Sequence, residues 1–279
     1  MSPKSDFDKN IDLDIRRRVS EPKIKDKDLF ETVEEVFDKS TVLAILELQR
    51  RNCITKLKGV ISAGKEARVY WGKGSNGEDL AVKIYLTSSA EFRKSILKYI
   101  QGDPRFEHIK SMAMHKLISI WARKEYSNLK RMYDAGISVP KPICVYRNVL
   151  IMEFIGEEGV RAPLLREVYK LQYLDIEKSR YYFSTIIKNI YRMYWFAGLV
   201  HGDLSEYNVM IFRDTPYIID VSQSVRIEHP NAHQFLYRDI TNIVRFFSEE
   251  VGLDAPTADE IYNSILSKSS RIFEELLEE

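Results

Sequence analysis

The hydrophobic pattern of the chain changes near its middle. In the first half, short apolar runs bounded by polar and glycine-bearing stretches indicate strands, whereas in the second half apolar residues recur at helical spacing. Gly74-Ser75-Asn76-Gly77 indicates a hairpin between two of the runs. A long helix over 112–135 is predicted to end at Gly136. The predicted strands of the first half cover residues 57–62, 67–73, 80–86, 143–147 and 149–154.

The second half is predicted to be mainly helical, and Gly156 and Gly159 mark the change as a hinge. Two short strands are predicted to flank a turn at Asp214-Thr215-Pro216. The predicted helices cover 164–171, 176–196, 233–251 and 256–277, and the two strands cover 209–212 and 217–221.

The N-terminal part of the chain divides into two segments. Residues 1–25 are highly charged and are predicted to be mobile. Residues 26–56 carry apolar residues at helical spacing and are predicted to form one or two amphipathic helices, with Ser40 as the N-cap of the second. Because their apolar face must be buried, we expect these helices to pack on the strand-rich half.

The charge of the chain is distributed unevenly, although the 279 residues carry a net charge of only +1 and an ordinary hydrophobic content of 44%. Residues 87–131 contain ten Lys or Arg and four Asp or Glu, whereas residues 249–279 contain nine acidic and two basic residues. The first stretch therefore predicts a basic patch with an anionic partner such as RNA, and solvated helix faces are the plain alternative.

Two cysteines, Cys53 and Cys144, do not suggest a disulfide scaffold or a zinc site. The N-terminus has no apolar leader-like run, and no apolar stretch approaches the length of a membrane span. We therefore expect a cytoplasmic protein with no membrane contact.

The strongest chemical signal is the stretch from His201 to Asn208, His-Gly-Asp-Leu-Ser-Glu-Tyr-Asn, followed by Asp220 at the end of an apolar run. In ATP-dependent phosphotransferases, an Asp in such a loop orients or deprotonates the attacking hydroxyl, while an Asn and a second Asp hold magnesium on the phosphates. The alternative is a turn in which Asp203 and Asn208 bond only their own backbone.

A lysine for the phosphates is predicted at Lys83, inside the apolar run Ala81-Val82-Lys83-Ile84. A charged side chain in such a strand is costly unless it is paired, and Glu125 on the following long helix is the best partner. Taken alone, an edge-strand lysine and a surface acid would be the simpler interpretation. The functional interpretation is favoured by the order in which the candidate residues occur along the chain, namely Lys83, Glu125, Asp203, Asn208 and Asp220.

The stretch 62–67, Ser-Ala-Gly-Lys-Glu-Ala, lies between the first two predicted strands, where a phosphate-covering turn is expected. Gly59, Gly64 and Lys65 match the front of the Walker A pattern. That interpretation is rejected because Glu66 occupies the position of the magnesium-binding Ser or Thr, and a strand follows instead of a helix.

Three strings of the sequence resemble the signatures of the RIO family of atypical protein kinases. They are residues 62–70, residues 201–208, and Ile219-Asp220-Val221-Ser222-Gln223. The resemblance covers roughly residues 26–277 and is closest to the subfamily without a winged-helix domain. Ala63 departs from the pattern, which has Thr there. The chain stops without a long charged tail, which makes it similar to archaeal members.

The resemblance implies an α+β, two-lobed protein-kinase-like fold with an antiparallel-sheet N-lobe, a mainly helical C-lobe and extra N-terminal helices. The N-lobe is expected over 57–155 with a basic insertion at about 87–111, and the C-lobe over 156–279. It implies ATP and Mg²⁺ as cofactors, with Mn²⁺ as a substitute. The residues expected to bind nucleotide are Ser62, Gly64, Lys65, Glu66, Val69, Lys83, Met152, Glu153 and Ile155.

The resemblance also implies roles for the polar residues of the second half. Asp203 is expected to be the catalytic base and Asn208 and Asp220 the metal ligands, with a possible aspartyl-phosphate on Asp220. Because no Ala-Pro-Glu follows Asp220 and no long activation segment fits, we expect a kinase or ATPase with narrow substrates, including itself. The candidate sites of self-phosphorylation are Ser88, Ser89, Ser95 and Ser111.

Family resemblance places this activity in maturation of the small ribosomal subunit, with residues 87–131 as the rRNA contact. The oligomeric state is left open between a monomer and a weak dimer. Two alternatives remain: a small-molecule phosphotransferase of the aminoglycoside or choline type, which would need an acid-lined helical insert, and a non-catalytic ATP-binding scaffold.

Overall fold

The computed structural model describes residues 37–86, 90–106 and 113–268, which form two compact units. Among these described residues, the first unit takes in those up to Phe92 and those within Met112–Tyr126 and Pro140–Pro163. The second unit takes in the described residues within Arg93–Ser111 and Ser127–Val139 and those from Leu164 onwards. The chain therefore enters and leaves each unit more than once. The predicted lobe boundaries and the predicted structure of residues 1–36 stay predictions, the latter because those residues lie outside the described ranges.

The first unit is built on a five-stranded antiparallel sheet in the order β1-β2-β3-β5-β4. Each predicted strand of this half is present within a residue or two of its expected ends. In the register, Lys83 of β3 lies opposite Val69 of β2 and Leu150 of β5. The strands are β1 Lys56–Ala63, β2 Ala67–Lys73, β3 Asp79–Tyr85, β4 Pro142–Tyr146 and β5 Val149–Glu153, followed by the short pair β6 Gly156–Glu157 and β7 Val160–Arg161.

One helix, α1 at Lys39–Arg50, covers the sheet near β4 and β5. Its N-cap is Asp38, whose carboxylate accepts the Thr41 N–H at 2.9 Å, so the prediction of Ser40 as N-cap was wrong. The helix begins two residues earlier than expected because the Asp38 carboxylate satisfies one of the free N–H groups of the first turn, and Ser40 lies inside that turn. The core between helix and sheet contains Ala44, Ile45, Leu48, Tyr70, Leu80, Val82, Ile84, Val149 and Ile151.

A disulfide joins Cys53, just after α1, to Cys144 in β4. The sequence did not suggest a disulfide scaffold, and it gave no indication of this single bridge. Their separation of 91 positions gives no spacing signal. Only the packing of α1 against the edge of the sheet brings them together, with Cα atoms 6.2 Å apart.

The second unit is mainly helical. Buried aromatic residues such as Tyr182, Phe183 and Phe247 fill its core. Two helices end in a single π-helical turn, Met193–Ala197 and Phe246–Val251. The helices that contribute to it are α2 Ala90–Ile100, α3 Met114–Asp134, α4 Leu165–Lys170, α5 Ile176–Arg192, α6 Ala232–Arg245 and α7 Ala258–Leu266; the strands are β8 Leu199–Val200, β9 Val209–Phe212, β10 Thr215–Ile218 and β11 Val225–Arg226.

The hairpin before Asp220 differs from its predicted form. Arg213 and Asp214 alone make the turn, both with positive φ, and Thr215 already pairs with Phe212. A two-residue turn of this kind matches the twist of the strands, which places Thr215 and Pro216 in β10 and not in the turn. Strand β10 ends at Ile218, and Val221 begins a 3₁₀ turn, Val221–Gln223, where the sequence predicted a strand.

Candidate active site

Lys83 and Glu125 form a buried ion pair in the first unit. Lys83 is 7% exposed and Glu125 is 1% exposed, and 2.8 Å separates Nζ from Oε1. The hydroxyl of Tyr85 donates to the other carboxylate oxygen. Because alternate residues of a strand share a face, Lys83 and Tyr85 of β3 reach the same carboxylate. The pairing predicted from the sequence is present. Tyr85 was not predicted, although its position two residues after Lys83 could have indicated it.

The turn between β1 and β2 consists of Gly64, Lys65 and Glu66. The Gly64 N–H donates to the Ala67 carbonyl at 2.9 Å, and the Glu66 carbonyl accepts the Leu86 N–H at 2.9 Å. A phosphate bound here would therefore find the Gly64 donor already engaged. Ser62, at the exposed end of β1, pairs in register with Val69, and the side chain of Lys65 is exposed.

The segment after β5 carries the residues predicted to contact adenine. Met152 is half-buried and lies between Ala81 and Pro142 in the sheet. The Glu153 N–H donates to the Lys141 carbonyl at 2.8 Å, and the Ile155 carbonyl accepts the Ala162 N–H at 2.8 Å. These bonds hold the backbone of the segment in a defined conformation.

Asp203 and Asn208 are joined within one loop of the second unit. The Asn208 side-chain amide donates to the Asp203 backbone carbonyl at 2.7 Å, so the amide oxygen points away from that carbonyl. The Asn208 carbonyl in turn accepts the N–H of Ile219 at 3.0 Å. Through this bond the loop is tied to the residue immediately before Asp220.

Asp220 is exposed and adopts the left-handed conformation, with φ 56° and ψ 60°. The Ser222 hydroxyl donates to its Oδ1 at 3.0 Å. One residue further on, the Gln223 amide donates to Oδ2 of Asp203 at 3.1 Å. The segment after Asp220 therefore contacts both carboxylates that the sequence singled out.

Burial raises the pKa of Asp203 above its ordinary value. Arg238 and Lys98 oppose this shift because they favour the ionised carboxylate, while the negative charge of Asp220 adds to it. A carboxylate with a raised pKa is a stronger base for a hydroxyl proton than an ordinary Asp.

Two buried residues, His201 and Asp239, hold the loop in place, and neither of them was given a role from the sequence. His201 accepts the Asp203 N–H at Nδ1 over 3.3 Å, so its Nε2 carries the proton toward the Ile219 carbonyl at 3.2 Å. Asp239 of α6 accepts the N–H groups of Gly202 at 2.7 Å and Leu204 at 2.9 Å. Burial raises the pKa of Asp239 to about 7. The two N–H donors oppose this shift, because they favour the ionised carboxylate.

The donor set around Asp220 fits a magnesium ion. Within residues 37–86, 90–106 and 113–268 no cluster of three or more His, Cys, Asp or Glu could cage a metal. Mg²⁺ is commonly held by one or two protein oxygens together with substrate phosphates and water. Asn208 and Asp220 offer an amide oxygen and a carboxylate on backbone segments that are bonded to each other.

Each unit thus assembles part of the predicted set. The first unit joins Lys83 to Glu125, and the second joins Asp203, Asn208 and Asp220. An antiparallel sheet with a paired lysine and a helical unit with an Asp–Asn–Asp set define a class of protein, the phosphotransferases of protein-kinase-like fold.

Comparisons with known proteins specify the family. The sequence model of the RIO domain matches residues 68–261. RIO-type serine/threonine-protein kinase Rio1 of Haloferax volcanii is 41% identical over 243 residues, which cover 87% of this chain and 80% of that protein. Serine/threonine-protein kinase RIO1 of Homo sapiens is 43% identical over 226 residues, which cover 81% of this chain and 39% of the human protein. The chain belongs to the RIO family.

The fold is also similar to that of a solved structure, the Rio2 kinase–ADP/Mg²⁺–phosphoaspartate complex from Chaetomium thermophilum. The two share 22% identity with a TM-score of 0.59, and the match covers 85% of this chain and 74% of that one. The predicted α+β, kinase-like fold is thereby confirmed. In the described part of the chain, no helix is both long and apolar enough to cross a bilayer.

Proposed function

We propose that the protein is an ATP- and Mg²⁺-dependent atypical serine/threonine protein kinase that also hydrolyses ATP. The observation that carries the proposal is the bonded set of the second unit. There the Asn208 side-chain amide donates to the Asp203 backbone carbonyl. The Asn208 backbone carbonyl accepts the N–H of Ile219, the residue before Asp220. This arrangement supports metal-assisted phosphoryl transfer because it presents two oxygen ligands next to a carboxylate base.

The first unit supplies the proposed contacts to the nucleotide. Lys83, fixed by Glu125, would neutralise the phosphates. The turn from Ser62 to Glu66 and the adjoining Val69 would lie over them, with the exposed Lys65 as a further positive charge. The backbone of Glu153 and Ile155 would receive adenine, with Met152 behind it. Bound Mg²⁺, for which Mn²⁺ is the proposed substitute, would offset the charge that develops on the phosphates.

Asp203 and Asp220 have different proposed roles. Asp203, whose pKa is raised by burial, would take the proton of an acceptor hydroxyl. In the ATPase route, the Asp220 carboxylate would attack the γ-phosphorus, the bond to the bridging oxygen would break, and ADP would leave. Water would then hydrolyse the acyl phosphate and restore Asp220. The Rio2 complex of similar fold, which contains ADP, Mg²⁺ and a phosphoaspartate, supports this proposal.

The test is phosphate release from ATP and Mg²⁺ by the wild type, Asp203→Ala and Asp220→Ala. We expect both variants to lose most of the activity, and equal rates in all three would exclude the enzyme. A label from the γ-phosphate that hydroxylamine removes, present on the wild type and absent on Asp220→Asn, would identify the aspartyl-phosphate. A label that survives hydroxylamine would instead point to serine.

We further propose that the protein acts in the cytoplasm on the precursor of the small ribosomal subunit, with residues 87–131 touching rRNA. Lys94 and Lys98 of α2 are exposed, and Arg93 is half-buried beside them. If replacing all three by Glu left binding to the subunit unchanged, this contact would be wrong. A monomer or weak dimer is proposed.

The serines proposed for self-phosphorylation are Ser88, Ser89, Ser95 and Ser111. Ser88, Ser89 and Ser111 lie outside the described residues, and Ser95 lies in α2. The small-molecule and scaffold alternatives are not favoured, because the matched relatives are named protein kinases.

A further inference from the structure

A chain of hydrogen bonds runs from the turn after α2 to the segment that follows Asp220. Asp103 is fully buried and accepts the Arg105 guanidinium at 2.7 and 3.0 Å. The same guanidinium donates to the side-chain oxygen of Asn128 at 2.8 Å. The Asn128 amide nitrogen then donates to two backbone carbonyls, that of Val221 at 2.9 Å and that of Ser224 at 3.1 Å.

The chemistry of Asn128 leaves one orientation for its amide. The oxygen must face the donor Arg105, and the nitrogen must face the two carbonyls, because each reversed contact would place like groups together. Asn128 is fully buried, so its side-chain amide has no water as a substitute partner. Arg105 thereby fixes the amide, and the amide fixes both ends of the turn from Val221 to Ser224.

A second set of contacts holds the turn after α2, the turn that carries Asp103 and Arg105. His229 is buried and its Nε2 lies 2.9 Å from the Gln101 carbonyl. Gly102, with φ 86°, packs so closely on Pro230 that a Cβ there would lie 2.9 Å from its ring. The turn that carries Asp103 and Arg105 is therefore anchored beside the network and cannot easily move away from it.

We propose that Arg105 and Asn128 are positioning residues for the metal-binding Asp220, an inference that rests on the proposed function. Asp220 directly precedes the turn that Asn128 holds, and its left-handed backbone conformation requires such support. The same turn places the Gln223 amide on Asp203. The network therefore sets the position of the metal ligand relative to the base within the second unit.

The test is calorimetric titration of ADP binding at a series of Mg²⁺ concentrations, which needs no catalysis. Asn128→Asp keeps the size and the bond to Arg105 but sets a carboxylate oxygen against two carbonyls. It should raise the Mg²⁺ concentration at half-saturation by about tenfold or more, as outer-shell changes commonly do. Arg105→Lys, which keeps the charge but loses the planar fork, should shift it in the same direction by less. High Mg²⁺ should restore phosphate release in both variants.

Two matched controls separate positioning from general destabilisation. Asn148→Asp alters another buried asparagine, whose amide donates to the Thr41 hydroxyl at 2.9 Å and the Tyr85 carbonyl at 3.0 Å. Arg131→Lys alters another arginine, in α3, which donates to the Ala197 carbonyl at 3.0 Å. We expect both to lower stability and to leave the Mg²⁺ requirement unchanged.

The outcomes are distinguishable. A wild-type Mg²⁺ requirement in Asn128→Asp, or an equal shift in the controls, would overturn the positioning role alone. If Asn128→Asp does not fold, Arg105→Lys decides, and an unchanged requirement there also overturns the role. A wild type whose ADP binding does not depend on Mg²⁺ would overturn the proposed function together with this inference.

Discussion

The side-chain amide of Asn208 donates to the backbone carbonyl of Asp203 at 2.7 Å. This bond joins the predicted base and a predicted metal ligand through one side chain folded onto its own loop. The alternative interpretation of the sequence, a turn in which these residues bond only their own backbone, therefore describes half of the geometry. The amide nitrogen is used by the backbone, and the amide oxygen is directed elsewhere.

The first prediction concerns Asn208→Asp. The variant keeps an oxygen for the metal but replaces the donor with a second acceptor facing the Asp203 carbonyl, so the side chain should turn away from the loop. We expect the apparent affinity for Mg²⁺ in phosphate release to fall by about 10- to 100-fold. A titration of the rate with Mg²⁺ measures this. A wild-type curve for the variant would show that the bond does not orient the ligand.

The sequence predicted those parts of the site that follow from local rules. Lys83 in an apolar strand needed a buried acid, and an acid at a suitable place on the next long helix could be chosen. The order of Asp203, Asn208 and Asp220 predicted the rest of the site, because the spacing of residues within one loop and one hairpin limits the possible arrangements of their side chains.

What the sequence did not predict depends on contacts between distant segments. Asp239 reaches Gly202 from a helix more than thirty positions later. Asn128 reaches Val221 across 93 positions. Cys53 and Cys144 meet because a helix packs on a sheet edge. None of these pairs has a local pattern, and each residue type has an ordinary use elsewhere in a protein.

The second prediction concerns the pH dependence of turnover. Because burial raises the pKa of Asp203, the base should become protonated at a higher pH than an ordinary Asp, whose pKa is about 4. We expect the acid limb of kcat/KM for ATP to lie at a higher pH than an ordinary Asp would give. The profile should be measured with Gln223→Ala as well, which removes a bond to the ionised carboxylate and should move the limb higher. An acid limb at or below pH 4 would contradict the raised pKa.

The third prediction concerns Asp239→Asn. The amide of Asn can accept only one of the two N–H groups of Gly202 and Leu204, and its own NH₂ would face the other. A buried donor without an acceptor costs about 1–3 kcal/mol, so the free energy of unfolding should fall by that amount near pH 5. Phosphate release should fall as well, because the loop that carries Asp203 loses its support.

The pH dependence of that loss has a defined sign. The pKa of Asp239 is raised to about 7 in the folded protein, so the folded state holds this proton more tightly than the unfolded state. Its contribution to stability is complete below the unfolded pKa of about 4 and is lost as the pH rises through 7. The stability difference between wild type and Asp239→Asn should therefore shrink from pH 5 to pH 8 in urea unfolding. A difference that grows with pH would contradict the assignment.

The fourth prediction concerns the disulfide between Cys53 and Cys144. It closes a loop of 91 positions and joins the end of α1 to β4, next to a core that α1 shares with the sheet. A bridge over a loop of this size typically contributes about 2–4 kcal/mol, mainly by restricting the unfolded chain. Cys53→Ser/Cys144→Ser, or reduction of the wild type, should lower the free energy of unfolding by that amount. The Mg²⁺ requirement should not change, because both cysteines belong to the first unit and the proposed metal ligands Asn208 and Asp220 belong to the second.

The disulfide also bears on the proposed location, since cytoplasmic proteins seldom keep one outside hyperthermophiles. Thiol trapping of the protein in intact cells, combined with fractionation, tests the oxidation state of the two cysteines and the location of the protein together. A bridge that remains oxidised in a protein found in the cytoplasmic fraction would make it a stabilising element of an intracellular enzyme. A fully reduced pair would mean that the protein works in the cell without the bridge. Its free energy of unfolding there would then equal that of the double serine variant.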